Sequence, residues 1–193
     1  MTTLGSTCTV GRGSSPRPIT DKKYFENRKI PWLKIADATK SGFYILETKA
    51  KVNEFGASFS RFIKKGNLVI ATSGTLGFTK LLGVDCCIHD GWMYLSANAY
   101  VSNEYLYYVI NQHKEYFDSV SYGAAIKNIN TEILRNISVV IPSSYLLDSF
   151  QNYIQSLTAE ILQIESLNIT LNKMRDLLIP ELITGKREIQ LHE

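Results

Sequence analysis

No Gly or Pro interrupts the chain from Tyr145 to Ile179, and apolar residues recur there every three or four positions. Phe150, Ile154, Leu157, Ile161 and Ile164 follow one another at spacings of 4, 3, 4 and 3. That is the pattern of a helix that pairs with another helix. Beyond Ile164 two registers are open: a strict continuation through Asn168, Leu171, Arg175 and Leu178, or a shifted one through Leu167, Leu171, Met174 and Leu178. A helix of about 33 residues is roughly 50 Å long at 1.5 Å per residue. An amphipathic stripe ordinarily packs on its own domain. This length exceeds what a small domain covers, so Phe150, Ile154, Leu157, Ile161, Ile164, Leu171 and Leu178 are read as a dimerisation seam on a projecting helix. Pro180 and Gly185 are expected to end it, with Lys186 to Leu191 adding a short strand or strap.

Upstream the pattern is different. Short β-branched and aromatic runs, Trp32 to Ile35, Gly42 to Leu46, Leu68 to Ala71 and Trp92 to Leu95, are punctuated by Gly, Asn and Ser, as strands and turns are. Gly11-Arg-Gly-Ser-Ser-Pro-Arg-Pro18 cannot form regular helix or central strand and reads as a basic loop. Asn103 to Phe117 has helical spacing, Thr131 to Arg135 a short helix, and Ile137 to Ile141 a strand. Pro142-Ser-Ser144 separates the two regimes. The expectation is an α+β protein: a mostly β domain with a few helices over residues 1–144, then a helical spacer and dimerisation region over 145–193 that forms an antiparallel coiled coil.

Charge follows the same division. Residues 1–100 hold 14 Lys and Arg against 7 Asp and Glu, a net +7, whereas residues 101–193 carry a net −4. A basic part suits phosphates and a mildly acidic part suits protein. Three cysteines, Cys8, Cys86 and Cys87, include no C-x-x-C, so neither a disulfide framework nor a zinc site is indicated. The N-terminus lacks a signal-peptide core, and no run approaches the roughly 18 apolar residues of a membrane span. A soluble, cytoplasmic protein is expected, with no metal and no membrane partner.

Motifs for chemistry are missing. There is no [DN]-P-P-[FY] for a flipped base, no Gly-rich cofactor loop, no G-x-x-x-x-G-K-[ST] and no G-x-S-x-G elbow. His89 and Asp90 near Ser73 therefore make no hydrolase. Gly74-Thr-Leu-Gly77 reads as a hairpin turn. What remains is a set of polar loops between strands: Ser14, Ser15 and Arg17; Lys40 and Ser41; Thr72, Ser73 and Thr75 with Lys80; Tyr122, Lys127 and Asn128. His89 beside Trp92 reads as a structural or base-contacting residue. Hydroxyls, amides and long cations are the donors that reach phosphate oxygens and base edges. Ser73 and Thr75 are expected near bases, and Arg17, Lys40, Lys80 and Lys127 on phosphates.

In this order, Gly11 to Ile19, Ile30-Pro-Trp-Leu-Lys-Ile-Ala-Asp37, Gly66 to Gly77, Gly123-Ala-Ala-Ile-Lys-Asn128 and Leu171 to Gly185 resemble the DNA specificity subunit of type I restriction-modification enzymes. The resemblance runs from about residue 11 to 190. It implies a target recognition domain that reads one half of a split double-stranded DNA site and does no chemistry. Separate modification subunits would supply adenine methylation with S-adenosylmethionine, and a restriction subunit cleavage. Such subunits typically hold two recognition domains and two spacer helices, of which this sequence has one each, so two copies are expected to pair. Two other readings stay open: a recognition domain of a fused single-chain restriction-methylation enzyme, and a coiled-coil scaffold protein with a nucleic-acid-binding β domain.

Overall fold

The computed structural model describes residues 1–72, 76–123 and 129–187. Along the chain these form β1 (Thr2–Thr3), α1 (Leu4–Thr7), β2 (Cys8–Arg12), a 3-10 turn (Lys22–Tyr24), β3 (Ile30–Leu33), α2 (Ile35–Ala38), β4 (Tyr44–Ile45), β5 (Ala50–Val52), α3 (Glu54–Ser58) and β6 (Arg61–Ile63). There follow β7 (Leu68–Ala71), β8 (Thr79–Leu82), β9 (Cys86–Ile88), β10 (Trp92–Ala97), α4 (Asn103–Gln112), α5 (Lys114–Gly123), α6 (Thr131–Arg135), β11 (Ser138–Val139) and α7 (Ser144–Ile183). A mostly β domain followed by one long helix is the architecture the sequence implies.

Three sheets carry the domain among the described residues: β2-β10-β7-β8-β4, β5-β3-β9-β6, and the pair β1-β11. The first is antiparallel except at its edge, where β4 runs parallel to β8. Its central strand β7 is buried along its whole length, as Leu68-Val-Ile-Ala71 requires, because a strand with both faces covered reads as a continuous apolar run. One face of this sheet meets α4 and α5 through Leu106, Val109, Ile110 and Phe117. The other meets the second sheet through Leu33, Ile63, Ile88 and Trp92. The three cysteine thiols are free and buried, and burial pushes them up to about 11 for Cys8, about 12 for Cys86 and about 11 for Cys87, which keeps them protonated.

Several boundaries differ from the sequence reading, each for a local reason. The run Trp32 to Ile35 is strand only to Leu33, because the Asp37 carboxylate accepts from the Lys34 backbone N–H at 3.0 Å and starts α2. The single helix expected over Asn103 to Phe117 is two, joined at His113, whose Nδ1 lies 2.8 Å from the Val109 carbonyl. Gly11 and Arg12 belong to an edge strand, and the loop starts at Gly13. Pro180 does not end α7. The helix runs to Ile183 and stops at Gly185, whose φ of +67° lets Lys186 N–H reach the Glu181 carbonyl and Gly185 N–H the Leu182 carbonyl. Of the strap expected over Lys186 to Leu191, residues 188–191 lie outside the described ones.

The largest correction concerns the seam. At 40 residues α7 is about 60 Å long, and its first half lies on its own domain. Phe150 packs edge-on against Tyr105 and Tyr108, with ring centroids 5.8 and 6.1 Å away. Ile154 and Thr158 are buried, and Leu147, Ile161 and Leu162 pack on the main core. Three of the expected seam residues, Phe150, Ile154 and Ile161, are therefore held within the chain. Replacing Phe150 by Ala is expected to lower folding stability by about 2 kcal/mol, read as a shifted denaturant midpoint, while leaving self-association unchanged.

Candidate nucleic-acid interface

The pairing of the five-stranded sheet brings the nominated loops together. Arg12 at the end of β2 pairs with Met93, Ala71 at the end of β7 pairs with Trp92 at the start of β10, and Ile70 pairs with Thr79 at the start of β8. Tyr44 at the start of β4 pairs with Leu81. The loops after β2 and β7 and those before β4 and β10 thus leave one end of the sheet, though Ser15 and Asp90, on two of them, are 75 residues apart in sequence. Four strand spacings of about 4.8 Å separate the outermost, roughly 19 Å. Sequence order alone does not show this convergence, because it depends on antiparallel register.

Ser14, Ser15, Arg17 and His89 form one cluster at this end. Its organiser is Asp90, which the sequence reading set aside. The Ser15 hydroxyl donates to Asp90 Oδ1 at 2.8 Å, Arg17 ion-pairs with Oδ2, and Arg12 Nε donates to the Asp90 carbonyl at 3.0 Å. Burial pushes the Asp90 carboxyl upward, but the Ser15 hydroxyl and the Arg17 and His89 charges outweigh it, and the acid stays ionised below the usual range. Gly13 must be glycine here, since a Cβ would overlap the His89 carbonyl. Ser14 is held from both sides: its N–H donates to Ile88 O at 3.2 Å, and its carbonyl accepts from Ser60 Oγ at 2.8 Å. Thr72 is fully buried, its N–H on the Gly91 carbonyl at 3.0 Å, so it fixes the loop and presents no side chain to a ligand.

Lys40, Ser41 and Lys80 form the second cluster, at the β4 edge. Lys40 is exposed. Ser41 Oγ donates to the Ala38 carbonyl at 2.8 Å. Lys80 Nζ donates to the carbonyls of Ser41, at 3.1 Å, and Gly42. Lys80, expected on phosphate, is thus a brace for the loop in this structure. Burial lowers its ammonium below the ordinary value, partly offset by the nearby Glu165 carboxylate. Ser73, Thr75, Lys127 and Asn128 lie outside the described residues; Tyr122 is on α5, its side chain likewise outside them.

The described residues contain no group of three or more His, Cys, Asp or Glu able to hold a metal, and no helix long and apolar enough to cross a membrane.

His89 is largely buried between Trp32 and Trp92, and Gly91 N–H donates to its Nδ1 at 2.9 Å. Burial pushes its pKa below the usual 6.5, Asp90 opposing and Lys34 reinforcing the shift. The folded state therefore prefers the neutral ring, with its proton on Nε2. Below pH 6.5 the unfolded chain binds a proton that the folded chain resists, so stability is complete above that pH and declines as the pH falls through the folded value. His89→Asn keeps an acceptor for Gly91 but cannot ionise. Thermal melts between pH 7 and 5 are expected to fall less steeply for the variant than for the wild type.

Comparison with known proteins bears on the fold and the family. The family model for the type I restriction modification DNA specificity domain matches residues 1–178. The type I restriction enzyme HindI specificity subunit of Haemophilus influenzae is 25% identical over 174 residues, which cover 88% of this chain and 38% of that protein. The S subunit of a type I restriction-modification system from M. genitalium shares the fold at a TM-score of 0.64 and 14% identity, covering 94% of this chain and 45% of that one. The HsdS subunit from Thermoanaerobacter tengcongensis does so at 0.54 and 19%, covering 85% and 42%. The chain spans less than half the length of each of these relatives. With the family model covering nearly the whole chain, this protein belongs to the type I restriction modification DNA specificity domain family.

Proposed function

We propose that this chain is a non-catalytic DNA reader that binds one half of a bipartite double-stranded target and directs type I modification and restriction subunits to it. The observation that carries the reading is the convergence of four polar loops on one end of the five-stranded sheet, with Arg12, Arg17 and Lys40 among them. A row of loops about 19 Å across matches roughly half a turn of duplex DNA, whose turn is about 34 Å. Serine hydroxyls and cations there suit phosphates. S-adenosylmethionine would be held by the partner methyltransferase subunit. An assembly of this kind works on cellular DNA, which accords with a cytoplasmic location.

The face of α7 turned from the domain supplies the pairing surface. Tyr153, Leu157, Ile164, Leu167, Leu171 and Met174 are 69%, 37%, 58%, 57%, 51% and 51% exposed, a continuous stripe at spacings of 4, 7, 3, 4 and 3. Leu178 extends it, half-buried. With Ile154 and Ile161 held by the domain, the stripe follows the register through Leu167 and Met174, and Asn168 lies beside it in a cleft against the domain. The stripe is self-complementary when reversed, except at Leu171. Two antiparallel copies centred between Glu165 and Ser166 stack Ile164 on Leu167, Leu157 on Met174 and Tyr153 on Leu178, with Glu160 opposite Leu171. Identical reading heads then sit at opposite ends, and the target is palindromic and bipartite.

Light scattering is expected to give a dimer, and Leu171→Asp to weaken it about 100-fold without loss of helical signal, since a charge in an apolar seam is poorly solvated. A wild-type monomer, unchanged by DNA or the methyltransferase subunit, would rule the pairing out. For the DNA face, Lys40→Ala is expected to weaken binding to every sequence alike and to reduce the slope of log affinity against log salt by about one. An unchanged slope removes Lys40 from the interface.

A further inference from the structure

Past Ile161 the long helix stands off the domain across a cleft lined by Lys40, Thr48, Asn168 and Asn172. At its inner end the Glu165 carboxylate accepts from two successive backbone amides, Phe43 N–H at 2.5 Å and Tyr44 N–H at 3.0 Å. Lys80 grips the same loop through the Ser41 and Gly42 carbonyls. A Cβ at Gly42 would overlap the Glu165 carboxylate. Farther out Lys173 and Glu47 meet at 2.7 Å, but both side chains are more than half exposed, at 63% and 57%, and such pairs hold weakly.

These ties differ in kind from the contacts nearer the start of α7. Phe150, Ile154 and Ile161 are held by apolar packing, which attracts without fixing direction. A carboxylate on two adjacent amides is directional, and it lies about 16 Å along the helix from Ile154. Together they define two points on a line. The free part of the helix extends a further 27 Å or so to Ile183, so its bearing is fixed mainly at Glu165.

We infer that the joint formed by Glu165, the Phe43 and Tyr44 amides and Lys80 is a specificity-determining element: it sets the number of base pairs between the two half-sites. The inference rests on the reading of the chain as one head of a paired, bipartite DNA reader. Each added base pair moves a half-site by about 3.4 Å and turns it by about 35°. Heads locked to their helices follow only one such step, and heads that swing follow several. Glu165 is in this sense a positioning residue and touches no DNA.

The test is selection of binding sites from random double-stranded DNA by the full chain. Wild type is expected to recover two half-sites at a single spacing. Glu165→Ala is expected to recover the same half-site bases with neighbouring spacings added, discrimination between adjacent spacings falling at least about tenfold. A simple loss of stability would lower all binding and leave the preferred spacing untouched, and that result overturns the inference while sparing the functional reading. Should Glu165→Ala fail to fold, Glu165→Gln, which keeps the shape and one acceptor oxygen, takes its place: broadened spacing supports the joint and unchanged spacing overturns it. If wild type recovers no bipartite motif, the functional reading fails and the inference falls with it.

Discussion

A 40-residue helix cannot hide two apolar faces against one small domain. On α7 the faces are adjacent but distinct. One, through Leu147, Phe150, Ile154, Thr158 and Ile161, is closed by the α4 face and the main core. The other, through Leu157, Ile164, Leu167, Leu171 and Met174, stays exposed among the described residues. Everything else about the molecule's geometry follows from this division. The covered face makes the helix a part of the domain, and the open one makes it a surface for something outside it.

The division also explains what the sequence revealed and what it withheld. Continuity of the helix was legible, because it needs only the absence of breakers and a period near 3.6. So were α6, with Asn130 capping it through the Ile133 N–H at 2.8 Å, and the all-apolar β7. Which of two overlapping stripes faces outward was not legible, since heptad spacing counts Ile154 and Leu157 alike, and only the docked domain distinguishes them. The same holds at Pro180. A proline removes one donor from the ladder, but in the last turn few bonds remain to be lost.

Site residues divide along the same line. The loops were visible as polar punctuation between strands. Their meeting at one sheet end was not, because it is a property of pairings such as Arg12 with Met93 and Tyr44 with Leu81. Asp90 was set aside and Glu165 went unread for a related reason. The role of each acid shows only in its partners, and those are 73 to 122 residues away in sequence. Lys80 shows the converse: a lysine on a basic half looks like a phosphate contact, yet its ammonium donates to two backbone carbonyls, Ser41 and Gly42, of the loop before β4.

The arrangement of the β2, β7 and β10 strands has a bearing on change over time. Their ladder is held by backbone hydrogen bonds and by a core that closes beneath the loops, and exposed side chains such as Lys40 contribute to neither. Side chains at the tips are therefore open to substitution without loss of the frame, whereas α7 and its docking face are tied to the fold at many points. On the proposed reading, a molecule built in this way can acquire a new address on DNA while keeping the spacing set by its helix, and the two inherit separately.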